Sequence, residues 1–145
     1  MSTEKAAKVW ARAAAPDLAL FEAIAKAAYA ALPDQFRALS DALPIRIEEL
    51  PSDDVIRDMG LESPFDLLGL YQGADIGRFR TDYLADGTPD MVFLYRRPIL
   101  DVWAEGEETL GKLIAHVLVH EIGHHFGLSD ADMDAIEARA DLDSV

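Results

Sequence analysis

Residues 107–126, EETLGKLIAHVLVHEIGHHF, constrain this chain more than any other stretch. Leu110, Leu113, Ile114, Val117, Leu118 and Ile122 recur at helical spacing and form an apolar stripe, which predicts a long amphipathic helix. Glu107 and Glu108 suit the positive end of its dipole, and Gly127 supplies a left-handed stop. All four histidines of the chain, His116, His120, His124 and His125, fall within this helix.

The rest of the chain reads as short elements around it. Leu18, Phe21, Ile24, Ala25 and Ala28 mark an amphipathic helix over 17–31, with Asp17 before it and Pro33 after it. A short helical turn follows over 34–42. Residues 45–50 (IRIEEL) begin with apolar and polar alternation and predict a half-buried strand. Ser52 and Asp53 cap one or two helical turns closed by Gly60. Residues 66–72 (DLLGLYQ) predict a strand in which Gly69 marks a bulge or a close backbone approach. Residues 73–90 carry an Asp86-Gly87 turn and no sustained period. Residues 91–95 (MVFLY) are the strongest strand signal, and the nearby Pro98 places that strand at a sheet edge. A last helix covers 131–141. The expected fold class is α+β: one compact domain over 1–145, with a small mixed sheet packed on helices and a solvated or frayed start over 1–15.

Composition narrows the function. The chain has 145 residues, half of them hydrophobic and 28% charged, as in a globular domain. Its net charge of −14 repels phosphate backbones and anionic lipid, so neither nucleic acid nor a membrane surface is an expected partner. With no cysteine there are no disulfides, thiolate ligands or cysteine nucleophiles, in keeping with a cytoplasmic protein. Glu4, Lys5, Lys8 and Arg12 interrupt any signal-peptide core, and no apolar run has the length of a membrane span.

The histidine spacing carries chemistry. Residues 120–124 read HEIGH, the HExxH pattern. Four residues make a little over one helical turn, so His120 and His124 share a face with Cβ atoms roughly 6 Å apart. Two imidazoles so placed can hold one Zn²⁺ at about 2.0–2.1 Å each. Glu121 is then positioned to act as general base on a water at that ion. The longer string HEIGHHFGLSD (120–130) reads HExxHxxGxxD. Gly127 lets the chain turn beneath the metal, and Asp130 can supply a third ligand. Three protein ligands plus water make an open, catalytic type of zinc site.

The chain resembles the small bacterial zincin-like metallopeptidases, from about residue 17 to residue 142. The resemblance is carried by LLGLYQG (67–73), LYRRPIL (94–100) and, most specifically, HEIGHHFGLSD. It implies a single-domain zinc peptidase. In the larger metzincins the third ligand is usually histidine where this chain has Asp130. The methionine turn of those relatives is not carried onto Met133, which lies three residues past Asp130.

Other readings stand beside these. Ser129 or Asp130 can cap the last helix, and Glu137 is the alternative third ligand, placed where gluzincins keep their carboxylate. His116 lies too far from His124 to share one metal with both other histidines and reads as a core or cleft-lining residue. His125 points away and packs locally. Arg96 and Arg97 are better ion-pair partners than substrate anchors, while Tyr71, Tyr83 and Tyr95 are oxyanion candidates by chemistry alone. The predicted reaction is peptide-bond hydrolysis, with zinc on His120, His124 and Asp130 and with Glu121 taking and returning the proton. An extended peptide or protein substrate is expected to lie along the 91–95 strand. The alternatives are a non-peptidase zinc amide hydrolase and a metal-stabilised binding module with little turnover. Oligomeric state is not encoded in any of these features.

Overall fold

The computed structural model describes residues 1–40, 43–73, 90–142 and 145. The Asp86-Gly87 turn, Tyr83 and the end of the 34–42 turn lie outside them. The elements in chain order are α1 (Thr3–Trp10), α2 (Leu18–Ala30), α3 (Asp34–Leu39), β1 (Ile45–Glu48) and α4 (Asp53–Met59). A 3-10 turn (Pro64–Asp66), β2 (Gly69–Gln72), β3 (Met91–Tyr95), α5 (Arg96–Glu105), α6 (Leu110–His125) and α7 (Asp130–Arg139) complete the α+β fold.

Local chemistry sets most of the helix boundaries. The Asp17 carboxylate accepts from the Leu20 N–H at 2.8 Å, and Ser52 and Thr109 cap α4 and α6 in the same way. Each such cap is worth about 1 kcal/mol. Because Thr109 takes that role, α6 starts at Leu110, and Glu107 and Glu108 precede it. Gly60 closes α4 at φ 67°, a left-handed conformation that favours glycine. α1 buries no residue, as expected of a solvated start.

The sheet order is β1-β3-β2. β3 runs parallel to β1, with Ile45 opposite Val92, and antiparallel to β2, with Leu70 opposite Phe93. β3 is therefore the central strand, which corrects the expected edge position and leaves no free edge at 91–95 for strand addition by a peptide. Pro98 does not mark an edge because it lies in the first turn of α5. A helix start needs no ladder hydrogen bond from that residue. Arg96 anchors this helix start: its Nε donates to the Pro16 carbonyl at 2.6 Å and its Nη1 to the Glu49 carboxylate at 2.9 Å.

The central strand turns Val92 and Leu94 into the core. There they join Phe21, Ala25 and Ala28 of α2 and the apolar stripe of α6. Ile114, Leu118 and Ile122 are all 0% exposed, and such burial stabilises by about 1.5–3 kcal/mol for each side chain. α6 thus has one face fixed in hydrocarbon, and His116, His120 and His124 occupy the other side of the same rigid rod. Among the described residues, no helix is long and apolar enough to cross a membrane.

Candidate metal centre

Two glycines bring α7 to the histidine face of α6. Gly127 leaves α6 at φ 75°, and the Leu128 N–H returns to the Gly123 carbonyl at 2.9 Å. Gly123 admits Met133 so closely that an added Cβ would sit 2.5 Å from its sulfur. Ser129 caps α7 in a reciprocal capping box with Asp132. Capping therefore falls to Ser129, and Asp130 is the first helical residue, its carboxylate free of that role. Met133 is fully buried under Gly123 and packs the two helices together.

One ligand atom from each of His120, His124 and Asp130 lies within 4.8 Å of the other two. The His124 Nε2 stands 3.9 Å from the Asp130 Oδ1. The His120 Nε2 is buried and has no hydrogen-bond partner, a costly state for a polar atom. Burial lowers the His120 pKa, helped by the neighbouring His116 and opposed by Glu137. The ring is therefore held neutral, the form that ligates a metal. Two imidazoles and a carboxylate are a donor set that suits zinc, and the orphaned nitrogen is an atom a cation would satisfy.

Glu121 faces the sheet. An added Cβ on Gly69 would meet the Glu121 Cγ at 3.3 Å, so the glycine predicted to mark a close approach makes room for this side chain. Burial pushes the Glu121 carboxyl up to about 7, while a hydrogen bond from the Tyr71 backbone N–H pulls the other way. A carboxyl balanced near neutrality can both accept and return a proton.

A family model described as zincin-like metallopeptidase matches residues 40–140. The chain belongs to the zincin-like metallopeptidase family. The resemblance drawn from HEIGHHFGLSD is thereby borne out, and so is the α+β fold expected with it. Membership gives a zincin its coarse class, a metal-dependent hydrolase whose metal is typically zinc. No curated protein matches this zincin.

The remaining candidate residues fall as follows in the zincin. Glu137 comes within 3.8 Å of His120 but groups with His116, not with His124. His116 is no core residue: its side chain is 47% exposed, and its Nδ1 bonds Glu137 at 2.8 Å. That pairing was missed, although the four-residue step from His116 to His120 signals a shared helix face. His125 stacks on Tyr71 with ring centroids 3.7 Å apart. The Tyr71 hydroxyl donates to Asp90 at 3.3 Å. Tyr95 lines a cavity of about 350 Å³ with Glu48, Ser52 and Gln72, which no histidine lines. Arg96 is an ion-pair partner of Glu49, as the sequence suggested.

Proposed function

We propose that this zincin is a zinc peptidase in which His120, His124 and Asp130 hold the ion and Glu121 moves the proton. The buried, unpartnered His120 Nε2 beside a second imidazole and a carboxylate carries this reading. When bound, Zn²⁺ supplies Lewis acidity toward a carbonyl oxygen and a water. His120 is oriented by the packed α6 face, and Asp130 by the Gly127 turn and the Ser129 cap. The Glu121 carboxylate takes a proton from the water whose oxygen forms the new bond to the scissile carbonyl carbon. It then delivers that proton to the amide nitrogen as the carbon–nitrogen bond breaks. The Tyr71 N–H holds the carboxylate in place between the two transfers.

The proposed substrate is a peptide or protein. Zinc content and hydrolysis of a diverse peptide library, measured on wild type and Glu121→Ala, test the reading. The expected result is lost hydrolysis with one zinc still bound. Wild-type rates in Glu121→Ala remove Glu121 from the mechanism, and turnover of simple amides without peptides favours an amide hydrolase.

A further inference from the structure

We propose that His116, His120 and Glu137 form a second divalent-cation position, one helical turn upstream of the first, which competes with it for zinc or a similar transition metal. One ligand atom from each of the three lies within 4.8 Å of the others. Glu137 divides its carboxylate between the two rings: Oε1 is 2.8 Å from the His116 Nδ1, and Oε2 is 3.8 Å from the His120 Nε2. Ligand atoms at tetrahedral zinc stand about 3.3 Å apart, given bonds near 2.0–2.1 Å. The two observed separations straddle that value, so small side-chain rotations close the set.

A plain His116–Glu137 hydrogen bond explains only part of this arrangement. It leaves the buried His120 Nε2 without a partner. It also leaves the second carboxylate oxygen directed at that nitrogen without bonding it. A cation between the three groups satisfies both atoms at once. The 116 and 120 rings are already close, with centroids 4.1 Å apart. An open cavity of about 350 Å³, lined in part by Glu108, Lys112 and Glu137, lies on the α6 N-terminal side of Glu137.

His120 belongs to both sets. A cation settled upstream therefore takes from the downstream position its most buried ligand, and the ion has two alternative seats on one helix face. The upstream seat stands on its own residues. The competition rests on the peptidase reading, which places zinc at His120, His124 and Asp130.

Isothermal titration of the metal-free full chain with Co²⁺ tests the proposal on wild type, His116→Ala, Asp130→Ala and the double variant. His116 and Asp130 have side chains 47% and 87% exposed, so both truncations spare the core, and far-UV circular dichroism checks the fold. Wild type and each single variant are expected to bind one equivalent. The double variant is expected to bind weaker than Asp130→Ala by more than the roughly 100-fold that marks loss of a supporting group. Equal affinity of Asp130→Ala and the double variant overturns the upstream position. Two equivalents in wild type overturn the competition. If His116→Ala alone loses the metal, the downstream assignment fails and the upstream one stands.

Discussion

Replacing Glu121 with glutamine in metal-free protein isolates the energetic cost of a buried carboxylate at the heart of the site. Burial raises the folded-state pKa from 4.5 to about 7, so the folded chain keeps a proton that the unfolded chain releases. The sign follows from linkage. The contribution of this group is fully present below pH 4.5 and is lost as pH rises through about 7. At 1.36 kcal/mol per pKa unit, the full loss is about 3 kcal/mol, reached near pH 8. At pH 5 it is below about 1 kcal/mol, because that pH lies only about half a unit above the unfolded pKa of 4.5, and the loss grows with each further unit up to about 7. Glutamine keeps the shape, can still accept from the Tyr71 N–H, and carries no charge at any pH. Urea unfolding with chelator present, run on both proteins from pH 5 to pH 8, gives the difference directly. Other titrating groups cancel in that difference. Glu121→Gln is expected to gain on wild type by about 2–3 kcal/mol across the range. A flat difference, or one that narrows as pH rises, refutes the claim that desolvation governs this carboxyl.

Two further variants test how the site is assembled. Gly123→Ala places a Cβ 2.5 Å from the Met133 sulfur and forces α7 away from α6, so it is expected to cost about 1–3 kcal/mol in thermal unfolding and to weaken zinc binding through Asp130. Unchanged melting and zinc affinity show that this contact does not position α7. Gly69→Ala brings a Cβ to 2.8 Å from the Val117 Cγ1 and 3.3 Å from the Glu121 Cγ. It is expected to lower kcat by displacing the carboxylate while zinc content stays at one equivalent, as steady-state kinetics with metal analysis would read.

Local features of the site were legible because they depend on residues close in the chain. The 3.6-residue period put His120 and His124 on one face of α6 whatever packed against it. Ser52, Ser129, Gly60 and Gly127 set helix ends through hydrogen bonds and φ angles spanning a few residues, whereas the Thr109 cap, which starts α6 at Leu110 and not at 107, was not read. The sheet was read less well. The run 91–95 was recognised as a strand, but its central place was not, because strand order depends on pairing with segments far away in sequence. Pro98 looked like an edge signal because α5 went unrecognised behind it, and in a helix's first turn proline costs no hydrogen bond.

The sequence alone determined the metal-ligand spacing on α6, its apolar stripe, and the glycine that ends it. Three matters waited for the tertiary structure: the company each carboxylate keeps, the burial of Glu121 against β2, and the loss of every partner for the His120 Nε2. The physical reason is range. Helical periodicity and capping act within a turn or two of chain, whereas desolvation and the meeting of α6 with α7 exist only once distant segments have packed.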